Sequence, residues 1–374
     1  MNISVIVGEN GAGKSQLLDA LAHLATDRGQ PVLAVANTVF ERFSVRGAQT
    51  FRRLSARHGR TLPKYALKQA MAAATEDGLV RLRSIPRTLQ YCGYQPALGV
   101  RIVGLRPERL RDLDTVGRRE GWSTGEMESV ESAARRLLGL WERLGPRDVR
   151  WFDFDSSQGL MDSDLAFVTA WESHLRKLRV IWRLDLALRR KGAVLPLNAA
   201  SSGELSLIAS LAFLVAAARP GCLVLIDEPE NSLHPQWQKE YLPMLADLLY
   251  RWSPQIVIAT HSPLIVSGAR HAEVALDPTV YLAGQGRYER ALTPARSVEG
   301  LFWESFRTVT PENHYLSERI TDLLTEVDSG EKTLPAFLEE VGAMEAGAYD
   351  KQQSNFFSAV RELAARVAGG SETS

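Results

Sequence analysis

The stretch Gly8-Glu9-Asn10-Gly11-Ala12-Gly13-Lys14-Ser15 decides how this chain folds, and it fits the pattern G-x-x-x-x-G-K-[ST] in full. A loop that curls around phosphate oxygens points its N–H groups inward, and glycine is needed where a Cβ would clash. Apolar residues 3–7 before it predict a buried strand, and leucines at helical spacing in residues 14–28 predict a helix. The sequence therefore predicts a phosphate-binding loop (P-loop) between a strand and a helix.

The chemistry of this loop predicts its ligands. The lysine of a P-loop reaches the β- and γ-phosphates, the serine ligates Mg²⁺, and the following helix directs its positive N-terminal end at the same anion. We therefore expect ATP and Mg²⁺, with Lys14 also assisting catalysis and Ser15 holding the metal. The predicted nucleotide contacts in the loop are Asn10, Gly11, Ala12, Gly13, Lys14, Ser15 and Gln16.

The bulk composition is that of a soluble globular protein large enough for more than one core: 374 residues, 45% apolar and 24% charged. Cys92 and Cys222 lie in apolar runs, which predicts buried thiols in a reducing compartment. No uninterrupted apolar run reaches transmembrane length, and a secretory signal is not expected when the P-loop starts at residue 8. We expect a cytoplasmic protein without a membrane partner.

Charge is distributed unevenly along the chain. The formal net charge is zero, yet residues 301–374 hold 13 Asp/Glu against 6 Lys/Arg, a balance of −7, so residues 1–300 carry +7. Basic side chains concentrate in residues 42–68 and 176–191. These stretches either face nucleic acid or are simply solvated. The acidic end suits a basic protein partner, or it caps the core.

A second group of motifs begins at residues 200–204, Ala-Ser-Ser-Gly-Glu, and opens an apolar helix that runs to about residue 218. The fully apolar residues 222–226 then predict a strand that ends at Asp227 and Glu228. Two carboxylates at this position can hold Mg²⁺ and orient or deprotonate water. A further apolar strand, residues 255–260, ends at His261, which is placed to touch a γ-phosphate.

Other segments carry weaker signals. Residues 31–37 predict a strand beside the first one, and residues 87–95 predict a strand that ends at Gln95, a candidate for sensing Mg²⁺ and the attacking water. Gln90 is an alternative for that role, and a plain polar strand end is a third reading. Residues 104–190 read as helical, with runs at 125–143 and 163–190.

Three other parts of the sequence give structural predictions. Asp153 and Asp155 alternate with aromatic residues, which favours a half-exposed strand over a metal site. Residues 273–277 and 279–283 predict short edge strands, and residues 297–368 predict helices.

The order of these motifs resembles the head of ABC-type ATPases: a P-loop, an insertion, S-S-G-E, a strand ending in Asp-Glu, and a strand ending in His. D-E-P-E-N-S-L-H-P and A-T-H-S-P further resemble the RecF/OLD-like AAA ATPases. The resemblance implies an α/β P-loop NTPase with a helical lobe between P-loop and signature, plus C-terminal helices. The expected segments are 1–103 and 197–290 for the ATPase core, 104–196 for the helical lobe and 291–374 for the acidic helices.

The resemblance also implies roles and an assembly. Asp227 would bind Mg²⁺ with Ser15, Glu228 would be the catalytic base and His261 the switch histidine. In this family the signature of one subunit completes the ATP site of another, so a head-to-tail homodimer or a higher oligomer is expected. The signature residues that would contact the partner's ATP are Ser201, Ser202, Gly203 and Glu204.

The expected function is an ATPase that switches an assembly while a separate effector, such as a nuclease, acts on the target. Stand-alone ATPases of this kind resemble those of Septu-like and retron-associated antiphage systems. A RecF-like repair clamp that grips DNA through the basic stretches is the alternative. The insertion lacks a long heptad arm, and only seven residues precede Gly8, so the residue that contacts adenine is not predicted.

Overall fold

The computed structural model describes residues 1–37, 42–55, 62–73, 84–144, 149–153, 159–231, 233–268, 276–284, 287–291, 314–329, 331–345 and 351–370. The β-strands of the described chain are β1 (Asn2–Gly8), β2 (Val32–Ala36), β3 (Phe51–Ser55), β4 (Ala97–Val103), β5 (Arg150–Asp153), β6 (Arg183–Arg190), β7 (Ala193–Pro196), β8 (Leu223–Asp227), β9 (Gln255–Thr260), β10 (Thr279–Gly284) and β11 (Arg287–Arg290).

The helices of the described chain are α1 (Lys14–Asp27), α2 (Leu62–Ala73), α3 (Ser84–Tyr91), α4 (Leu113–Glu120), α5 (Thr124–Leu144), α6 (Gly159–Ala170), α7 (Glu172–Lys177), α8 (Ser202–Ala217), α9 (Pro235–Leu249), α10 (Pro263–Gly268), α11 (His314–Asp328), α12 (Leu334–Glu345) and α13 (Lys351–Gly370).

The seven-stranded main sheet has the order β11-β10-β1-β9-β8-β2-β3, and its strands run parallel except for the antiparallel pair β10–β11. The expectation that residues 31–37 lie beside the first strand is wrong, because β9 and β8 separate β2 from β1. Crossover connections set the order of parallel strands, and a crossover can skip positions. Residues 279–283 do form a strand, but β10 is internal, between β1 and β11, instead of at an edge.

The carboxyl ends of the parallel strands meet at one edge of this sheet, where ligands of open α/β sheets bind. Val7 of β1 lies opposite Thr260 of β9, and Ala259 of β9 lies opposite Asp227 of β8. The P-loop, the acidic pair after β8 and the histidine after β9 therefore leave the sheet side by side.

Both faces of the main sheet are covered, because successive side chains of a strand point to opposite faces. On one face, Ile6 packs in a cluster with Leu18 and Ala22 of α1. On the other, Val5 and Val7 join the larger core, which includes α8. Residues 203–217 of α8 are all buried except Ser206, which explains why this helix is apolar around its whole circumference.

The segment between P-loop and signature is less helical than expected. α4, α5, α6 and α7 are helices, but β6 (Arg183–Arg190) replaces the end of the helix predicted over residues 163–190, and β4, β5, β6 and β7 form a second, antiparallel sheet in the order β5-β4-β6-β7. Leu184, Leu186 and Leu188 are buried at every second position of β6, which is the period of a strand.

Residues 84–91 form helix α3, so the strand predicted over residues 87–95 is wrong. Ile85 and Leu89 lie one helical turn apart and are both buried. The chain then turns at Gly93, whose φ of 74° is in the left-handed region that glycine adopts without strain. Strand β4 begins only at Ala97.

The C-terminal residues form helices, as predicted, over His314–Asp328, Leu334–Glu345 and Lys351–Gly370. Their apolar side chains make a cluster of their own, with Leu323, Phe337 and Phe357 fully buried. Residues 297–313, the first part of the predicted helical region, lie outside the described residues. Among the helices that the structure describes, none combines the length and the apolar character needed to cross a bilayer.

Candidate functional site

The P-loop joins β1 to α1 in the predicted way. Gly11 and Gly13 have φ values of 87° and 86°, a left-handed backbone that side chains with a Cβ rarely adopt. The buried Lys14 ammonium donates to the carbonyl oxygens of Gly8 at 2.7 Å and Glu9 at 2.9 Å, which holds the loop curled over its own side chain. Burial lowers the pKa of Lys14, against the raising effect of nearby carboxylates.

Tyr288, on β11, contacts the backbone of the P-loop. Its hydroxyl donates to the carbonyl oxygen of Gly13 at 3.0 Å and is half-buried there. A Cβ at position 13 would lie 3.0 Å from the same hydroxyl, so the tyrosine gives a second reason for glycine. The sequence offered no signal for this contact, because it joins residues 275 positions apart.

The predicted magnesium ligands lie together. Ser15 Oγ donates to Asp227 Oδ1 at 3.1 Å, and the Asp227 carboxyl is almost fully buried at 2% exposure. Burial, helped by the charge of Glu228, raises the pKa of Asp227 to about 6, despite the Ser15 hydrogen bond. A buried carboxylate beside a hydroxyl is a set of hard oxygen ligands, so these two residues fit Mg²⁺.

Glu228 has a strained backbone and a fixed side chain. Its φ is 48°, unusual for a residue with a Cβ, and its N–H donates to the Ala259 carbonyl at 2.9 Å. Asn231 Nδ2 donates to Glu228 Oε2 at 2.9 Å, which leaves the other carboxylate oxygen for a further partner. Asn231 was not singled out from the sequence, although it belongs to the turn that follows the acidic pair.

His261 lies against a buried carboxylate that the sequence analysis did not assign. Glu230 Oε1 accepts from the His261 backbone N–H at 2.6 Å and from the Thr260 hydroxyl at 2.7 Å, and lies 3.0 Å from His261 Nδ1. The Glu230 carboxylate, at this distance from the ring, raises the pKa of His261. Burial tends to raise the pKa of Glu230, but its hydrogen bonds with His261 and Thr260 lower it overall.

These groups face one open pocket of about 520 Å³. It brings together most of the P-loop with the predicted base and the predicted switch histidine, and it adds Arg42 and Asn231, which were not assigned from the sequence. The lining residues are Asn10, Gly11, Gly13, Lys14, Ser15, Gln16, Arg42, Glu228, Asn231 and His261.

The predicted signature residues lie outside that lining. Ser201 is the N-cap of α8 in a capping box: its hydroxyl accepts from the Glu204 N–H at 3.3 Å, and Glu204 Oε2 accepts from the Ser201 N–H at 2.7 Å. Ser201 and Ser202 are exposed, whereas Gly203 and Glu204 are buried. The two serines are therefore exposed at the start of α8, where the Ser201 hydroxyl takes part in the capping box.

Glu204 is committed to contacts within its own chain. Its carboxylate forms an ion pair with Arg190 and accepts from the Tyr94 hydroxyl at 2.9 Å. The Arg190 guanidinium lies 3.9 Å from the centroid of the Tyr94 ring. Burial raises the pKa of Glu204, but the Arg190 and Ser201 hydrogen bonds lower it overall.

The remaining candidates lie elsewhere. Gln95 follows α3 in an exposed turn, where its N–H donates to the Arg189 carbonyl at 2.8 Å, and Gln90 is exposed on α3. Neither glutamine lines the 520 Å³ pocket, and their proposed role stays a prediction. Asp153 ends strand β5, as the strand reading expects, and Asp155 lies outside the described residues.

Comparison with known proteins found the following similarities. A family model described as "AAA domain, putative AbiEii toxin, Type IV TA system" matches residues 112–267. No curated protein matches the chain. Among solved structures, the chain is similar to the Smc head domain with an extended coiled coil, bound to the C-terminal domain of ScpA, from Pyrococcus furiosus: 14% identity, 78% of this chain and 89% of that chain covered, TM-score 0.30.

The parallel sheet, the P-loop geometry and the match to an AAA domain over residues 112–267 support a P-loop ATPase.

Proposed function

We propose that this protein binds and hydrolyses ATP between two subunits and uses the cycle to switch a separate effector. The observation that carries the proposal is the single pocket that gathers Lys14, Glu228 and His261 at one edge of the sheet. A cation for the phosphates, a carboxylate for water and an imidazole near the terminal phosphate are the groups that phosphoryl transfer to water requires.

Each residue has a distinct task in this proposal. Lys14 neutralises phosphate charge, and Glu228, held by Asn231, accepts a proton from the attacking water. His261, held by Glu230, donates to the terminal phosphate as charge develops there. Mg²⁺ bound by Ser15 and Asp227 would polarise the phosphate oxygens.

The two-subunit arrangement is supported by the position of the signature. Ser201 and Ser202 are exposed at the start of α8 and do not line the pocket of their own chain. A second subunit placed head-to-tail would bring its own serines to the nucleotide, and the helix N-terminus behind them favours phosphate.

The test is phosphate release from ATP by the purified protein in Mg²⁺. We expect turnover that Lys14→Ala abolishes and that the exposed-site control Glu108→Gln preserves. Equal phosphate release by wild type and Lys14→Ala would contradict the proposal.

The effector and the antiphage setting rest on the motif resemblance and on the matching family, whose description names a putative toxin of a type IV toxin–antitoxin system. The acidic C-terminal helices have their own apolar cluster, and Phe356 and Leu363 remain 41% and 48% exposed on the last helix. We infer that this face holds the effector.

Removal of the C-terminal helices tests that inference. If they dock the effector, a chain ending at residue 313 keeps ATP hydrolysis but no longer retains its partner from native extracts. An insoluble truncated chain would indicate that these helices cap the core, and Phe356→Ser with Leu363→Ser in the full chain would then decide the docking role.

A further inference from the structure

Two pockets away from the ATP site join into one surface. They measure about 740 Å³ and 890 Å³ and share Ser173, Arg176 and Trp182 in their linings. None of their lining residues belongs to the ATP pocket. We call this continuous region the Trp182 surface.

The Trp182 surface is strongly basic. The two linings contain seven Lys/Arg side chains and one carboxylate, Glu172, which is buried and paired with Lys68. Within the described part of the chain, no carboxylate lies within ion-pair distance of Arg106, Arg176 or Arg179. Three cations therefore face solvent without an internal counter-charge on this surface.

Two large aromatic side chains are exposed among these cations. Trp182 is 57% exposed and Tyr65 is 59% exposed, and both line the larger pocket. Burying either ring in the protein would have been favourable, so their joint exposure beside a basic pocket calls for a ligand with flat, apolar faces.

The Trp182 ring is held in place although it is exposed. The Trp182 backbone N–H donates to the Val103 carbonyl at 2.9 Å, and the indole ring occupies the space that a Cβ at Gly104 would need. The Arg106 guanidinium lies 5.4 Å from the ring centroid. Gly104 has a φ of 69°, so glycine serves both the turn and the packed ring. The indole is thus preorganised and presents its outer face to solvent.

We propose that the Trp182 surface binds single-stranded nucleic acid, with bases stacked on Trp182 and Tyr65 and phosphates paired with Arg176 and Arg179. Unpaired bases have flat faces that can stack on exposed aromatic rings. The phosphates of the nucleic-acid backbone supply regularly spaced negative charges that can pair with the arginines. A duplex hides its base faces, and an acidic polypeptide has no regular series of flat bases. A duplex or an acidic polypeptide would therefore contact the basic side chains but would not stack on Trp182 and Tyr65.

Binding is measured by fluorescence anisotropy with labelled deoxythymidine and uridine oligomers of about 15 nucleotides, without ATP and at low salt. The two arms separate DNA from RNA, and tight binding of either supports the proposal. Trp182→Ala should weaken binding by about 5- to 150-fold, the effect of losing one stacked base. Trp182→Phe, which keeps a ring, should lie between Ala and wild type. Tyr250→Ala is the matched control, since Tyr250 is also 57% exposed and lies near an arginine, but outside the Trp182 surface.

The cations are tested by salt dependence. Arg176→Gln and Arg179→Gln should each weaken binding and reduce the slope of log K against log salt by about 0.7. Arg135→Gln, an exposed arginine paired with Glu131 outside this surface, should leave both quantities unchanged.

Three results would overturn the proposal: no binding of either oligomer at low salt, unchanged affinity in both Trp182→Ala and Tyr65→Ala, or duplex binding as tight and as dependent on Trp182. ATP hydrolysis by the same preparations separates this proposal from the proposed ATPase function. Loss of oligomer binding with normal hydrolysis concerns the Trp182 surface alone, whereas absent hydrolysis with normal oligomer binding concerns the ATP site alone.

Discussion

Glu230 Oε1 accepts from the His261 backbone N–H at 2.6 Å and lies 3.0 Å from His261 Nδ1, so one buried carboxylate holds the backbone of the histidine and lies at ion-pair distance from its ring. Glu230 is only 6% exposed, and it lies two residues after the predicted base, Glu228. The carboxylate thus links the turn after β8 to the end of β9 and favours the charged form of the imidazole.

Replacement of Glu230 by Gln should change the pH dependence of hydrolysis. The raised pKa of His261 keeps the imidazole protonated at higher pH, and loss of the carboxylate lowers that pKa. We expect the alkaline limb of kcat to move to lower pH, with a loss of about tenfold or more at alkaline pH. A pH profile that matches wild type would contradict the role given to Glu230.

The same pair should stabilise the fold most at pH values between the titration of Glu230, whose pKa is lowered, and that of His261, whose pKa is raised. Because the folded-state pKa of His261 is raised, its stabilising contribution is complete below its unfolded value and disappears as pH rises through the folded value. The Tm difference between wild type and Glu230→Gln should therefore shrink as pH rises through the titration of His261, which thermal unfolding in buffers of different pH can measure.

Glu228→Gln should separate nucleotide binding from hydrolysis. The amide keeps the size of the side chain and can still meet Asn231, but it cannot take a proton from water. We expect ATP binding near the wild-type level and turnover reduced by about 10² or more. Single-turnover phosphate release, with ATP binding measured separately, provides the check, and wild-type turnover would remove Glu228 from the role of base.

The site was more predictable than the framework around it, for physical reasons. Each of the P-loop, Glu228 and His261 follows a short apolar strand, so local sequence placed them at strand ends and the parallel sheet brought them together. Strand order depends on contacts between segments that are far apart in sequence. The separation of β2 from β1 by β9 and β8 could therefore not be predicted from local sequence. Supporting contacts such as Tyr288 to Gly13 are long-range and carry no motif.

The errors in secondary structure had local causes. Residues 183–190 alternate apolar and polar side chains, but they continue a helical pattern from residue 175, and the turn at Arg179, with a φ of 61°, was not predicted. The helix at residues 84–91 is short, and it contains Thr88 and Tyr91, residue types that are common in strands. In the helix that forms, Ile85 and Leu89 lie on the same face and are both buried, which favours the helix over a strand.

Magnesium affinity should fall in acid because Asp227 must lose its proton to act as a ligand. Its pKa of about 6 predicts weaker Mg²⁺ binding below that pH, approaching tenfold per pH unit. Without the metal, the raised pKa makes folding less favourable as pH rises from about 4 to 6. The Tm increase caused by Mg²⁺ with ATP should thus be larger at pH 8 than at pH 5, and Asp227→Asn should abolish that difference.

Arg190→Gln should destabilise the start of α8. It leaves the Glu204 carboxylate, whose side chain is 9% exposed, without its cation, although Arg190 itself is 34% exposed and partly screened by solvent. We expect a loss of about 2 kcal/mol in unfolding free energy by urea denaturation, less than for a fully buried pair. Arg135→Gln, at an exposed helical pair, should cost less than about 0.5 kcal/mol. Equal costs for the two variants would mean that Arg190 does not hold the signature.

Ser201→Arg tests whether two chains share each ATP site. The substituted side chain would project from the exposed start of α8 toward the partner's nucleotide, so hydrolysis should stop while the P-loop of the same chain stays intact. Lys14→Ala should also be inactive, because it removes the phosphate-binding cation.

An equal mixture of the two variants contains mixed dimers in which one site combines an intact P-loop with an intact signature, and random pairing predicts recovery of about a quarter of wild-type activity. Ser329→Arg, at an exposed serine outside the site, should hydrolyse normally. Wild-type hydrolysis by Ser201→Arg, or no recovery in a mixture whose subunits demonstrably exchange, would rule out the head-to-tail arrangement.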